Sequence, residues 1–211
     1  METISQHANM KKVTDLLRGL YKQYHYSPKA WRELRELVEI LNIKIWKPAN
    51  LGGTRWLPHI EKALNTLMRD YTPVLTHMEN TLETRSASAD MLGRARQCTQ
   101  LLFVGLVQVI LQVLSCLSLK LQEDGVTLPS ALHAFETALL LLTSMATTPG
   151  ECLERFLEDT EDEHFHSVPL HNCSQESRDG FARVKTELLD TVQESLRKRF
   201  KDVETPCESS R

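Results

Sequence analysis

The chain has 211 residues, of which 41% are hydrophobic and 25% charged, a composition typical of one folded domain and not of a disordered or fibrous protein. Residues 1–70 contain 12 Lys and Arg against 7 Asp and Glu, whereas residues 71–211 contain 13 against 21. The net charge of −3 excludes a uniformly basic surface, although the N-terminal third is basic and contains all three Trp residues. The polar opening Met1–Gln6 predicts no secretory signal, and five cysteines without a C-x-x-C pair favour reduced thiols in the nucleus or cytosol.

Hydrophobic positions recur at helical spacing along nearly the whole chain, and Pro and Gly interrupt the pattern at a few points. The approximate bounds of the predicted helices are 8–24, 28–41, 54–82, 89–122, 128–145, 151–157 and 178–200. Ser27 is expected to cap the second helix, Pro73 to kink the third, and Ser86–Ser88 to separate the third from the fourth. The predicted fold class is an all-α bundle of about six to seven helices.

Three segments do not follow the helical pattern. The alternation of Ile43-Lys44-Ile45-Trp46 predicts at most one short strand, before a loop at 47–53. The acidic, His-rich stretch Glu158–Glu176 has no hydrophobic period and is predicted to be a loop. The last residues, Thr205–Arg211, are expected to form a disordered tail.

The segment Leu101–Leu119 contains no charged residue and approaches the length of a membrane span. A helix buried at the centre of a bundle is also apolar all round. Amphipathic helices are predicted on both sides of this segment, and it contains Gln108 and Gln112. These features favour a core helix over a membrane span.

The segment Gly53-Thr54-Arg55-Trp56-Leu57-Pro58-His59 is the first candidate site. Thr54 is a suitable helix cap, which would place Arg55 and Trp56 in a first turn whose backbone N–H groups lack intrahelical partners. That environment suits a phosphate and a stacked base, so Arg55, Trp56 and His59 are candidate DNA contacts. The alternative is a Trp56 buried in the core beside an Arg55 on the surface.

Aromatic and basic residues also alternate in Tyr21-Lys22-Gln23-Tyr24-His25-Tyr26. Such a run can stack bases and neutralise phosphates, which makes Lys22 and Tyr24 further candidate DNA contacts. The same spacing of Tyr21 and Tyr24 is expected of core residues on one helix face.

Four possible zinc ligands, His164, His166, His171 and Cys173, lie within ten residues of each other. Their spacing matches no standard zinc finger, and many acidic residues surround them. They are weak metal candidates, and a solvated loop is the favoured interpretation.

The motif Gly53–His59 and the run Leu114–Gln122 resemble domesticated hAT-type transposases of vertebrates. The first, with its Thr-Arg-Trp core, is the most specific part of the resemblance, which extends from about residue 9 to residue 200. Weaker similarities are found in Leu20–Lys29, Glu33-Leu34, Ala63-Leu64, Gly93–Arg96 and Leu196–Phe200.

The resemblance implies an RNase H-like core with three acidic metal ligands, in which a large helical insertion separates the second acid from the third. Arg55 and Trp56 would then lie where the core enters the insertion, with the Trp handling flipped or hairpin DNA. Residues 1–56 would form the edge of the core, residues 57–204 the insertion domain and residues 205–211 the tail. The first two acids would lie before Met1, and the third near or beyond the C-terminus.

The expected chemistry of the chain is limited. Two-metal phosphoryl transfer needs carboxylates that converge on ions about 4 Å apart, and no acid here lies in a strand-rich setting. Catalytic-triad, phosphate-loop and dinucleotide-binding motifs are also absent from the sequence. We therefore expect no enzymatic activity, no cofactor and no small-molecule substrate.

Two functions are compatible with these observations. One is a non-catalytic, transposase-derived nuclear interaction module, with weak DNA contact through its basic, aromatic N-terminal region. The alternative is a truncated helical scaffold that contacts only proteins and associates through the apolar surface its missing core would cover. Both predict a protein partner or self-association, with the nucleus as first compartment and the cytoplasm as second. Membrane association through Leu101–Leu119 is a weaker third possibility.

Overall fold

The computed structural model describes residues 6–51, 56–82, 86–148 and 150–204. Within these ranges the chain forms nine helices and one two-stranded hairpin. In chain order the elements are α1 (Ala8–His25), α2 (Pro28–Ile40), α3 (Trp56–Arg69), α4 (Tyr71–Asn80), α5 (Ser86–Ala95), α6 (Cys98–Leu121), α7 (Leu128–Thr147), α8 (Glu151–Asp159), β1 (His164–Phe165), β2 (Val168–Pro169) and α9 (Gln175–Glu204). The all-α prediction is confirmed.

Several helix ends are set by the residues that the sequence singles out. The Ala30 N–H donates to Ser27 Oγ at 3.2 Å at the start of α2, as the predicted cap requires. Thr127 caps α7 in the same way. Gly125 follows α6 with a φ of +77°, a left-handed conformation that glycine adopts without a Cβ clash.

Helix α6 lies at the centre of the bundle and packs against α3, α7, α8 and α9. Its first half is surrounded on all sides, and every residue of Leu101–Val107 is buried. This explains why its sequence is apolar all round, and it confirms the prediction of a core helix.

Two helices predicted as continuous are divided. The expected third helix stops at Arg69, and α4 begins at Tyr71, before Pro73. The expected fourth helix is divided between Arg96 and Gln97, because the backbone of His171 replaces the helical hydrogen bonds there. The His171 N–H donates to the Arg96 carbonyl at 2.8 Å, and the Cys98 N–H donates to the His171 carbonyl at 3.0 Å.

The possible strand at Ile43–Trp46 does not form among the described residues, and the Trp46 N–H donates instead to the Asp70 side chain. The predicted break lies earlier than Ser86–Ser88, since α4 ends at Asn80 and α5 begins at Ser86. The predicted loop Glu158–Glu176 contains the hairpin, whose turn is formed by His166 and Ser167.

Nearly all buried hydrophobic residues of the described ranges belong to one cluster, which extends from Met10 to Val192. It crosses the boundary expected between residues 56 and 57, so α1 and α2 share their core with the helices that follow. The tail 205–211 lies outside the described residues.

Candidate functional site

Gly53, Thr54 and Arg55 lie outside the described residues. So does the side chain of Trp56, although the Trp56 backbone begins α3. The side chain of His59 is half-buried in the first turn of that helix. The proposed roles of Arg55, Trp56 and His59 therefore stay predictions.

The structure separates the residues of the Tyr21–Tyr26 segment. Tyr24 is fully buried, and its hydroxyl lies 3.0 Å from His77 Nδ1. It belongs to the core stripe of α1 and offers no surface to DNA. Lys22 is exposed, and the ring of Tyr21 stacks on His25 with centroids 4.6 Å apart.

A second aromatic and basic cluster surrounds Trp46, which is not among the candidate site residues predicted from the sequence. The Lys44 Nζ lies 5.2 Å and the Arg69 Cζ 5.1 Å from the Trp46 ring centroid. Trp46 nevertheless remains 52% exposed to solvent. A signal is present in the sequence, because basic and aromatic or apolar residues alternate in Lys44–Lys47, but the same alternation also predicts a strand.

The Asp70 carboxylate fixes the positions of Arg69 and of the Trp46 backbone through hydrogen bonds. It is buried and accepts two hydrogen bonds from Arg69, at 2.8 and 2.7 Å, and one from the Trp46 backbone N–H at 3.1 Å. The hydrogen bonds to Asp70 raise the pKa of Arg69, so the guanidinium stays charged beside the ring. Lys44 and Arg69 thus both lie over the Trp46 ring as cation–π contacts, and they concentrate positive charge at this half-exposed aromatic residue.

The rest of the N-terminal region is less basic than its composition suggests. Every cation that α2 presents after its first residue lies near a carboxylate one turn further on. The pairs are Lys29 with Glu33 at 3.7 Å, Arg32 with Glu36 at 3.7 Å, and Arg35 with Glu39 at 3.6 Å. This face of α2 is therefore a balanced ionic surface, not a polyanion-binding one.

The four weak metal candidates do not form one site. The Nδ1 of His164 contacts the Asp162 carbonyl at 2.8 Å, and His166 lies in the hairpin turn. His171 is exposed, and its backbone bonds to Arg96 and Cys98. In the described ranges, no three His, Cys, Asp or Glu side chains are grouped in a way that could hold a metal ion.

Cys173 instead lies against Cys98, the first residue of α6. Burial raises the pKa of the Cys98 thiol to about 12, and its hydrogen bond with Cys173 acts in the same direction. Cys98 is therefore a protonated thiol at neutral pH and a poor nucleophile.

Helix α7 is rich in apolar residues, and few of them are buried. Of its 20 residues only Ala138, Leu142 and Met145 are buried. Leu140 is 71% exposed and Leu141 48%. An open groove of about 300 Å³ between α7 and the second half of α6 adjoins Leu141 and is lined by Val113, Cys116, Leu117, Ala134 and Ala138, among others.

Helices α6 and α7 are both long and apolar enough to cross a membrane, and their surroundings differ. In the most apolar window of α6, 61% of the residues are buried within the protein, against 17% in that of α7. The apolar character of α6 is thus explained by its place in the core. Burial in the core does not explain the apolar character of α7, because most of its residues are not buried.

Comparisons with protein-family models, with curated proteins and with solved structures find no match to this chain.

Proposed function

We propose that this chain is a non-catalytic helical interaction module that pairs with a second copy of itself through the exposed side of α7. The main support for the proposal is that only 17% of the residues in the most apolar window of α7 are buried within the protein. Exposed apolar patches of this kind mark interaction surfaces, because their burial against a partner is favourable.

The charges of α7 favour a second copy over an unrelated partner. Between Leu128 and Thr147 the charged or titratable side chains are Glu136 and His133, and both are exposed. An antiparallel pair of α7 helices centred between residues 134 and 135 places His133 opposite Glu136 of the partner subunit. The same register places Leu140 opposite Pro129 of the partner subunit, so the surface is self-complementary.

The expected association is reversible. A 20-residue helix is about 30 Å long and about 10 Å wide, a smaller surface than the roughly 800 Å² per partner of a standard stable interface. We therefore expect a dimer with a dissociation constant in the micromolar range.

Sedimentation equilibrium over a range of protein concentrations tests this proposal. The wild-type chain should show a monomer–dimer equilibrium, and Leu140→Lys should shift it to the monomer. Ile40→Lys is the matched control, because Ile40 on α2 is 82% exposed and lies outside the proposed surface. A wild-type chain that stays monomeric at the highest concentration, or an equal effect of both substitutions, would contradict the proposal.

The resemblance to hAT-type transposases supports an origin of this module from a transposase and a location in the nucleus. In that account this helical segment has no nuclease or strand-transfer activity of its own. A two-metal nuclease assay with Mg²⁺ or Mn²⁺ is the direct check. Cleavage of DNA by the purified wild-type chain would overturn this part.

Weak contact with single-stranded DNA is a second candidate function, favoured by the Trp46 cluster. The half-exposed Trp46 ring, with Lys44 and Arg69 over it, combines an aromatic group for a base with positive charge for a phosphate. Fluorescence anisotropy with a labelled oligonucleotide at low salt should show weak binding that decreases with added salt. Trp46→Ala should reduce affinity about tenfold, as the loss of one stacked base predicts.

Arg55→Ala and Trp56→Ala belong in the same assay, because the resemblance assigns DNA contact to those two positions. Lys29→Ala is the control, since Lys29 already pairs with Glu33 and should matter little. If no binding is seen at low salt, or if none of the three test variants weakens it, DNA contact is refuted.

A further inference from the structure

A cleft of about 560 Å³ opens on the side of the bundle formed by the start of α1, the end of α5, the start of α6 and the first half of α9. Its volume lies in the range of roughly 300–1,000 Å³ typical of small-molecule sites. The residues that line it are Asn9, Lys12, Arg94, Gln97, Thr99, Gln100, Phe103, Gly180, Phe181 and Val184.

The floor of the cleft is apolar. Phe103 and Phe181 are both buried beneath it, and Val184 is half-buried beside them. The His7 ring stacks on Phe103 with centroids 5.5 Å apart, which fixes one side of the floor. Such a surface favours an aliphatic or aromatic group over water.

The rim carries hydrogen-bond donors and positive charge. Lys12 and Arg94 are the cations, Asn9, Gln97 and Gln100 contribute amide groups, and none of the lining residues is acidic. Asp90 bonds to both Nε and Nη2 of Arg94, which orients the guanidinium. A negatively charged group at this rim would meet complementary charge on two sides.

Gln100 supplies an independent indication of a missing acceptor. Its Nε2 atom is shielded from solvent and has no hydrogen-bond partner among the described residues. A buried N–H donor without an acceptor is unfavourable, because its hydrogen bonds to water are lost on folding and no hydrogen bond within the protein replaces them. An oxygen atom of a bound molecule in the cleft would satisfy it.

We infer that this cleft binds an amphipathic organic anion, with its hydrocarbon part against Phe103, Phe181 and Val184 and its carboxylate near Lys12, Arg94 and Gln100. The inference does not depend on the role of α7, since no residue of α7 lines the cleft. It makes the chain a ligand-binding protein in addition to an interaction module.

Isothermal titration calorimetry with decanoate and with decanol tests the inference on the full chain. Decanoate should bind at one saturable site, and decanol should bind at least fivefold more weakly because it lacks the charge. Absence of saturable decanoate binding would overturn the inference. Equal affinity for the two compounds would overturn the assignment of an anion.

Two glycines allow a matched pair of variants. Gly180 and Gly93 both lie in helices with nothing within 4 Å of an added Cβ, but only Gly180 lines the cleft. Gly180→Leu should fill part of the cleft and weaken decanoate binding at least tenfold, whereas Gly93→Leu should leave it unchanged. Circular dichroism shows that each variant is folded, and equal binding by the two folded variants would contradict the assigned site.

Gln100→Leu tests the role of the buried amide. This substitution keeps a similar volume and removes the donor, so decanoate affinity should fall while decanol affinity should not. A parallel fall for both compounds would indicate a change of shape and contradict the assigned role of Gln100.

Discussion

Gly105 on α6 shows how closely two helices approach at a single residue. A Cβ built on Gly105 would lie 3.0 Å from two ring carbons of Phe156 on α8. Phe156 also contacts Phe165 of the hairpin, with ring centroids 4.8 Å apart, so it has little room to move. The absence of a side chain at Gly105 is therefore a packing requirement.

Gly105→Ala should lower the free energy of unfolding by about 1 kcal/mol, because the cost of overpacking exceeds the gain in helix propensity. Gly93→Ala should raise it by about 0.5–1 kcal/mol, since no atom lies within 4 Å of the added methyl group. Urea unfolding followed by circular dichroism measures both. A stabilising Gly105→Ala would show that α6 and α8 are less tightly packed than described.

Two buried weak acids, the Cys98 thiol and the Tyr71 hydroxyl, make the stability of the fold depend on pH in the alkaline range. Burial raises the pKa of Cys98 from 9.0 to about 12. Burial also raises that of Tyr71 well above its ordinary value, although nearby Arg96 acts in the opposite direction. The Tyr71 hydroxyl donates to the Ala95 carbonyl at 2.9 Å. In both cases the folded state retains a proton that the unfolded chain releases near pH 9–10.

The stabilising contribution of these two groups should be complete below about pH 9 and decrease as the pH rises toward 12. Tyr71→Phe should cost about 1 kcal/mol at pH 7 through the lost hydrogen bond and make the alkaline decline less steep. Urea unfolding at intervals from pH 7 to about 11 measures the two slopes. Equal slopes for wild type and Tyr71→Phe would contradict the role of Tyr71.

Individual residues also show where prediction from sequence reaches its limit. The helical period of α1 and the aromatic, basic composition of its end gave opposite interpretations of Tyr24. The structure resolves them, because Tyr24 bonds to His77, which is 53 positions away. The position of Trp46 was likewise not predictable from its neighbours, since its backbone N–H donates to Asp70, 24 positions further on.

At the scale of elements, hydrophobic period and capping residues predicted where most helices lie. Helix breaks were harder to predict, because they depend on contacts between distant segments. Arg96 and Gln97 contain no helix breaker, and the division there follows from His171 in another segment. The break predicted at Ser86–Ser88 rested on composition alone, and it lies earlier, between Asn80 and Ser86.

The β1–β2 hairpin has an unfavourable turn sequence. His166 and Ser167 have φ values of +47° and +68°, the left-handed geometry for which Asn and Gly are preferred. Replacing His166-Ser167 with Asn-Gly should raise the free energy of unfolding by about 1 kcal/mol. Thermal unfolding of the variant provides the measurement, and a lower stability would indicate that the His166 ring, 4.2 Å from Phe165, contributes more than the turn geometry costs.

At the scale of the whole molecule, one core joins the N-terminal helices to the bundle around α6. The apolar sequence of α6 predicted its central position, since a helix surrounded by others has no polar face. The exposed side of α7 was not predicted, because the period identifies the buried stripe but not how much of the rest a neighbour covers. The charge pairs along α2, by contrast, could be predicted from the sequence, because the predicted helix 28–41 almost coincides with α2 and all three pairs are four residues apart.

The antiparallel pairing of α7 with a second copy is tested most directly by site-specific cross-linking. Mixed under mild oxidation in a Cys116→Ser background, His133→Cys and Glu136→Cys chains should form a disulfide between residues 133 and 136 faster than either chain alone. Ile40→Cys serves as the control for random collision. A mixed disulfide identified by mass spectrometry, and absent with the control, is the predicted result, whereas cross-linking no faster than that of Ile40→Cys would contradict the proposed pairing.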